Sequence, residues 1–121
     1  MAMAAGAQLV GAGSANAAAS PCPSTYTCIY QDRNFGRGVR GFSNPSANAD
    51  LYWYLDTQPI NFNDQMTSWI NHRGRYSEWF VNRNLMGGAH CMPPNVKVKK
   101  VTLQENDTAT VVATYGNLTA C

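Results

Sequence analysis

The stretch Asn-Phe-Asn-Asp-Gln-Met-Thr-Ser-Trp, residues 61–69, places a run of polar side chains between two aromatic ones. We expect Phe62 and Trp69 to be buried on either side of a tight turn. Asn, Asp and hydroxyl side chains stabilise such turns because they hydrogen-bond their own backbone. The same oxygen atoms are the hard ligands that calcium prefers. The stretch alone leaves both interpretations open for its polar residues Asn63, Asp64, Thr67 and Ser68.

A weaker copy of this stretch occurs later in the chain. The motif Asn63-Asp64-x-x-Thr67-Ser68 is matched by Asn106-Asp107-x-x-Thr110-Val111. Before each copy, an aromatic residue is followed five positions later by an apolar one and then by glycines, as in Tyr30 with Phe35 and Phe80 with Leu85. One unit of this kind cannot bury its apolar face alone, so two copies predict a double Greek key.

The remaining sequence predicts short strands and no long amphipathic helix. Alternating β-forming residues predict strands over 26–30, 39–43, 68–71, 76–81, 96–103 and 108–114. Residues 51–55 are aromatic and fit either a strand or a short helical turn. Tyr52, Trp53 and Tyr54 are consecutive and cannot all face one core. Short strands separated by frequent turns indicate an all-β sandwich.

The first residues have the composition of an export signal. Residues 1–19 carry no charge and are mostly small, with Ala15 and Ala17 suited to a cleavage site. We interpret residues 1–19 as a signal peptide truncated at its start, since a basic region is missing, and residues 22–121 as a single domain. The apolar run is too short for a membrane anchor, so we expect a secreted, extracellular protein.

Four cysteines follow this leader, an even number that is typical of small secreted domains. Their spacing does not resemble a zinc site. Three disulfide pairings are formally possible. The pairing that we expect is Cys22–Cys28, which closes a short loop, with Cys91–Cys121, which ties the C-terminus to the domain. Each bridge would stabilise the fold by about 2–4 kcal/mol.

The net charge of +2 does not indicate a nucleic-acid partner. The one dense basic run, Val96–Val101, alternates apolar and lysine side chains over most of its length. Lysines commonly protect the edge of a sheet from pairing with another chain. We therefore expect no nucleic acid to bind there.

These motifs resemble a known family. The aromatic corner with its glycines (Tyr30, Phe35, Gly36, Gly38) and the Asn63–Ser68 motif resemble the βγ-crystallin Greek key and its calcium motif. The segment Cys22–Asp32, followed by Asn34-Phe35-Gly36, is similar to the secreted actinobacterial peptidase-inhibitor family, which includes metalloproteinase inhibitors. The resemblance covers roughly residues 22–112. It implies an all-β, βγ-crystallin-like double Greek key sandwich with two disulfides.

The resemblance also implies a candidate calcium site formed by Asn63, Asp64, Thr67 and Ser68, completed by backbone carbonyls near Arg37–Gly38. The second copy has Val111 in place of the serine, so we expect no second ion there. Calcium is the only cofactor that the sequence suggests.

The resemblance to the inhibitor family implies a loop that contacts a protease, and the segment around Cys91 is the candidate. The candidate inhibitory loop is His90, Cys91, Met92, Pro93 and Pro94, because a disulfide would fix one end and two prolines the other. A rigid loop loses little entropy on binding. Met92 would offer an apolar side chain to a metalloproteinase pocket. We expect a monomer whose partner is an extracellular protease of the metalloproteinase class. A plain connection between strands is the alternative interpretation of this segment.

Two functions are alternatives to a protease inhibitor: a calcium-binding module and an enzyme. A calcium-binding structural module without inhibitory activity would use the Asn63–Ser68 motif alone. An enzyme would need an acid and a base, for which His72 and His90 are available with Glu78 or Arg75. These residues form no recognised catalytic arrangement, so we expect no catalytic site.

Overall fold

The structure, a computed structural model that describes residues 21–117 and 120–121, contains two four-stranded antiparallel sheets. The strands are β1 (Tyr26–Asp32), β2 (Gly36–Ser43), β3 (Leu51–Tyr54), β4 (Ser68–Asn71), β5 (Ser77–Phe80), β6 (Ala89–Met92), β7 (Val96–Val98) and β8 (Val111–Thr114). A short 3-10 turn, Arg33–Phe35, joins β1 to β2. Within these residues no helix is long and apolar enough to cross a membrane. The predicted signal peptide, residues 1–19, lies outside the described part.

The strand order shows how the two sequence repeats combine. One sheet has the order β2-β1-β4-β7 and the other has the order β3-β8-β5-β6. Strands β1–β4 come from the first repeat and β5–β8 from the second, and each repeat places its third strand in the sheet of the other. Because of this exchange, neither sheet is complete without both repeats. The predicted double Greek key sandwich is confirmed.

The main core lies between the two sheets and contains inward-facing side chains from both. Phe62 and Trp69 are buried in it, as predicted from the sequence. Trp53 also points into this core, whereas Tyr52 is exposed and Tyr54 joins a cluster on the outer face of the second sheet. The aromatic run is therefore a strand and not a short helical turn. Its side chains alternate between the two faces of the sheet.

Each sheet also has a small apolar cluster on its outer face, next to a disulfide. The disulfides are Cys22–Cys28 and Cys91–Cys121, the predicted pairing. Cys22 and Cys28 pack with Tyr30 and Val39 on the first sheet. On the second sheet, Cys91 pairs in register with Glu78 on the face opposite to Trp79. Both ends of the described chain are thus tied to the sandwich.

A buried polar network joins the two repeats at Asn71, the last residue of β4. Its side-chain amide donates to the carbonyl oxygens of Met92 and Pro93 at 2.7 and 3.2 Å. Its Oδ1 accepts a hydrogen bond from the Thr27 hydroxyl at 2.9 Å, and that hydroxyl also pairs with Ser77 of β5 at 2.7 Å. Buried polar groups are costly unless they are paired, and this network pairs groups from four strands and the β6–β7 connection.

Three predicted elements differ from the structure. The strand predicted over 96–103 ends at Val98, because the chain there leaves the first sheet and crosses towards the second. The strand predicted over 108–114 begins only at Val111, since Asp107 has φ 59 and its neighbours form a turn. Residues 89–92, predicted to belong to a loop, form the edge strand β6.

Replacement of Asn71 tests whether this network holds the repeats together. We expect Asn71→Ala to lower the free energy of unfolding by about 2–4 kcal/mol, since it leaves several buried groups without partners. The measurement is urea denaturation followed by circular dichroism. The exposed Asn117→Ala is the control and should change stability by less than about 0.5 kcal/mol. Equal effects of both substitutions would contradict the assignment.

Candidate functional site

The two turn motifs face each other and are joined by a reciprocal pair of backbone hydrogen bonds. The amide of Asp64 donates to the carbonyl of Ala109 at 2.9 Å, and the amide of Asp107 donates to the carbonyl of Met66 at 3.1 Å. Asp64 and Asp107 have φ values of 57° and 59°, the left-handed region that Asp and Asn tolerate better than most residues. The repeated Asn-Asp sequence therefore has a clear structural role at equivalent positions.

A cleft of about 490 Å³ lies beside these turns. Asp64 and Thr67 of the first motif line it together with Asn106 and Asp107 of the second. Its other lining residues come from the β1–β2 hairpin and the β7–β8 connection: Gln31, Asp32, Arg33, Arg37, Gln65, Lys100, Val101 and Leu103. Three of these lining residues are acidic if Asp64 and Asp107 are included, and three are basic. The cleft is therefore polar but has no strong excess of one charge.

The structure separates the four predicted calcium ligands. Asp64 and Thr67 line the cleft, whereas Ser68 is fully buried and uses its hydroxyl to hold the β1–β2 hairpin. The Ser68 Oγ donates to the Asp32 carbonyl at 2.6 Å and accepts from the Phe35 amide at 3.1 Å. Asn63 does not line the cleft. Its Oδ1 is buried without a hydrogen-bond partner among the described residues, as is the Oδ1 of Asn106.

The predicted inhibitory loop lies mostly within a strand. His90, Cys91 and Met92 belong to β6, and β6 pairs with β5 at the edge of the second sheet. Met92 is fully buried in the main core, because side chains alternate along the strand and Met92 follows the inward-facing His90 by two positions. The prediction that Met92 presents its side chain to a protease is therefore wrong for the folded domain. Pro93 and Pro94 are half-buried and begin the connection to β7.

The exposed part of this connection lies further along the chain than the sequence predicted. Pro94 and Asn95 form a tight turn, and Asn95 has φ 59. The next residue, Val96, is 37% exposed although it is apolar. Val96 and Lys97 begin the edge strand β7 and line a shallow groove of about 420 Å³. The alternation of Val96 to Lys100 indicated an edge strand. The sequence did not indicate that the exposed segment continues from the preceding loop into this strand.

His90 links β6 to the β7–β8 connection. Its ring stacks on Trp79 with a centroid distance of 4.0 Å, and its Nδ1 lies 3.2 Å from Glu105 Oε2. Arg40 occupies the equivalent position in the first repeat, since Ile29 pairs with Arg40 in register as Trp79 pairs with His90. Arg40 holds the β3–β4 connection, and burial lowers the pKa of its guanidinium.

The catalytic candidates His72 and Arg75, together with the neighbouring Arg73, bond to backbone groups near both ends of the domain. The His72 Nδ1 lies 2.8 Å from the Cys22 carbonyl oxygen. Arg73 donates to the Tyr115 carbonyl, and Arg75 donates to the Gly116 carbonyl. The pKa of Arg73 is lowered to about 10, first by burial and then by the charge of Arg75, while the charge of Asp50 acts in the opposite direction. These side chains anchor both ends of the domain at the β4–β5 connection.

The remaining candidates for an acid and a base are also engaged in the structure. Glu78 accepts a 2.6 Å hydrogen bond from the Tyr115 hydroxyl, and burial followed by this bond raises the pKa of that phenol. Glu78 lies on the outer face of the second sheet, whereas His90 faces the core side of β6. The structure therefore does not bring Glu78 and His90 together.

Comparison with protein families identifies one match. A family model described as "Peptidase inhibitor family I36" matches residues 15–92 of the 121-residue chain. This region includes the first repeat and the second repeat as far as Met92. A comparison with curated proteins finds no match.

Solved structures with the same fold are βγ-crystallin domains. A domain from Clostridium beijerinckii superposes with a TM-score of 0.59 at 23% identity, and covers 76% of this chain and 99% of that one. A domain from Flavobacterium johnsoniae gives a TM-score of 0.55 at 19% identity, with 77% and 98% coverage. A domain from work on the evolution of the eye lens βγ-crystallin fold gives 0.62 at 15% identity, with 80% and 93% coverage. At these identities the likeness shows the fold alone.

Two methionines test the placement of β6. We expect Met92→Ala to lower the free energy of unfolding by about 2–5 kcal/mol, because it opens a cavity in a close-packed core. Met86→Ala removes the same atoms from a side chain that is 66% exposed, and it should cost less than about 0.5 kcal/mol. Chemical denaturation of both variants measures the difference. A Met92 variant as stable as the Met86 variant would show that Met92 is not a core residue.

Proposed function

Since the chain belongs to peptidase inhibitor family I36, we propose that it is a secreted inhibitor of an extracellular metalloproteinase. Family membership implies a protease partner and fits a protein that is not an enzyme. We further propose that the inhibitory contact is made by the β6–β7 connection, in particular by Pro93, Pro94, Asn95 and Val96. The observation that carries this proposal is the number of independent bonds that fix this connection.

The connection is fixed at both ends before any partner binds. The Cys91–Cys121 disulfide ties β6 to the C-terminus, and Asn71 donates hydrogen bonds to the carbonyls of Met92 and Pro93. After the turn, β7 pairs with β4. A segment held in this way has little conformational entropy to lose on binding, which is the main physical requirement for a protein inhibitor.

Exposed apolar character at the same place supports a protease with an apolar pocket. Val96 is exposed beside the half-buried Pro94, whereas the neighbouring Met92 is buried in the core. Val96 replaces Met92 as our candidate for the side chain that enters the pocket. The predicted metalloproteinase target is retained, because such enzymes commonly accept apolar side chains; the family match supports a protease without specifying its class.

The extracellular location and the monomeric state are part of the same proposal. Two disulfides within one small domain are typical of oxidising compartments. The predicted signal peptide supplies a route of export. A rigid connection at the edge of a single domain needs no second copy of the chain to reach a protease, so a monomer is sufficient.

Inhibition by the mature protein is the direct test. We expect inhibition of a thermolysin-type enzyme at micromolar concentration or below, and a loss of about tenfold or more in Val96→Asp because a charge would enter an apolar pocket. The measurement is the inhibition constant from steady-state peptide hydrolysis. A panel of serine, cysteine and aspartic proteases tests the assigned class.

The matched control is Ala47→Asp, which adds the same charge to the exposed β2–β3 connection at the opposite edge of the sandwich. It should inhibit as the wild type does. No inhibition by the wild type of any protease would overturn the proposed function. Equal potency of the Val96 and Ala47 variants would overturn the assigned contact only.

A second candidate function, calcium binding, is favoured by one specific observation. The Oδ1 atoms of Asn63 and Asn106 are both buried without a partner among the described residues, at equivalent positions of the two repeats. Buried unpaired oxygens are uncommon and are often satisfied by an ion or water. In the cleft, Asp64, Thr67, Asn106 and Asp107 supply oxygen donors of the type that calcium prefers. Calcium would bind in the cleft and bridge the two turns. Ser68 would not be a ligand, because its hydroxyl bonds to the β1–β2 hairpin.

Thermal unfolding separates this candidate from a purely structural turn. If calcium binds to the folded state alone, saturating calcium should raise the Tm relative to excess chelator by several degrees. Asn106→Ala and Asp64→Ala should abolish the increase, and Asp56→Ala, which lies outside the cleft, should retain it. An unchanged Tm in the wild type would discard the calcium site.

A further inference from the structure

We propose that the turn Thr102–Asn106 is a second contact point for the target protease, with Leu103 as the side chain that enters an apolar pocket. This inference rests on the proposed inhibitory function and extends its surface to the β7–β8 connection. Leu103 is 83% exposed, more than the other exposed large apolar side chains of the described residues. An exposed leucine alone carries little information, because apolar atoms form much of any protein surface. Leu103 differs from an ordinary exposed leucine because hydrogen bonds hold the turn that carries it.

The turn is fixed by hydrogen bonds from both of its ends. The Thr102 amide donates to Glu105 Oε1 at 3.1 Å, and the Glu105 amide donates to the Thr102 carbonyl at 3.0 Å. The Asn106 amide donates to the same Thr102 carbonyl at 2.9 Å. The Thr108 hydroxyl then donates to the Glu105 carbonyl at 2.6 Å. Leu103 is therefore presented on a backbone that is already ordered, which reduces the entropy lost on binding.

A side-chain contact ties this turn to β6, the strand that leads into the candidate inhibitory segment. Glu105 uses one carboxylate oxygen for Thr102 and the other for His90, at 3.2 Å. His90 precedes Cys91 in β6, so the turn and the β6–β7 connection are held to the same strand. We refer to the contact of His90 with Glu105 and Trp79 as the His90 clasp. It holds the turn against the strand that leads into the β6–β7 connection.

The clasp distinguishes the second repeat from the first at equivalent positions. The group that faces His90 from the β7–β8 connection is the Glu105 carboxylate, and from β5 it is the Trp79 ring. Arg40, at the equivalent position of the first repeat, bonds to the Ile60 carbonyl and lies over the Phe62 ring. A carboxylate from a neighbouring connection is therefore part of the contact only in the second repeat.

The test measures inhibition constants against a protease that the wild type inhibits. We expect Leu103→Asp to weaken inhibition by about tenfold or more, whereas Met86→Asp, a charge on the exposed β5–β6 hairpin, should not change it. Glu105→Gln keeps an acceptor for the Thr102 amide but removes the carboxylate that faces His90. The wild type should inhibit about three- to fivefold better than this variant.

The possible outcomes distinguish this inference from the proposed function. Failure of the wild type to inhibit would overturn both. If the wild type inhibits, potency retained in Leu103→Asp or lost equally in Met86→Asp would overturn the second contact while leaving the first. Equal inhibition by the wild type and Glu105→Gln would show that the His90 clasp does not position the turn. Circular dichroism melts of each variant establish that it is folded.

Discussion

The fold depends on the reciprocal hydrogen bonds between its two turns. The amides of Asp64 and Asp107 each donate to a carbonyl two residues beyond the aspartate in the other repeat, at Ala109 and Met66. Both aspartates have left-handed φ values. If the turns opened, β4 and β8 would lose the ordered turns that precede them. The exchanged strands β3 and β7 would then be held less firmly in the sheet of the other repeat. The repeated Asn-Asp sequence is therefore explained by closure of the sandwich before any ligand is considered.

The edges of the two sheets then determine where a partner can bind. Strands β6 and β7 are edge strands of different sheets, and the tight connection between them is bonded to the core through Asn71 and to the C-terminus through Cys91. The β7–β8 connection is attached to the same side by His90 and Glu105. One side of the domain thus collects two ordered, partly apolar connections. The double Greek key limits the flexibility of these two connections, which fits the binding surface that we propose for a member of an inhibitor family.

The sequence predicted the features that depend on local chemistry and on repetition. The double Greek key followed from two copies of one motif, the burial of Phe62 and Trp69 followed from their flanking positions, and the disulfide pairing followed from loop length. The sequence did not predict β6, because Ala89–Met92 has a glycine pair before it and prolines after it, and its strand character comes from pairing with β5. For the same reason, the sequence predicted that Met92 lies in an exposed loop, whereas it is buried in the core.

The details of the site depended on contacts that a sequence does not display. Ser68 matched the calcium motif, yet it bonds to Asp32 and Phe35, which lie 36 and 33 residues away. The contribution of Asn106 to the cleft requires the facing arrangement of the two repeats. The clasp of His90 with Glu105 joins residues from two connections whose spacing gives no periodic signal.

Hydrogen exchange of the mature protein, free and in complex with a thermolysin-type enzyme, shows whether a protease binds the side of the domain formed by β6, β7 and the β7–β8 connection. We expect the backbone amides of residues 95–98 and 102–106 to become protected in the complex, while those of residues 46–50 in the β2–β3 connection do not change. Proline has no amide hydrogen, so Pro93 and Pro94 are not observed. Protection confined to residues 46–50, or no protection at saturating protease, would rule out binding at this side.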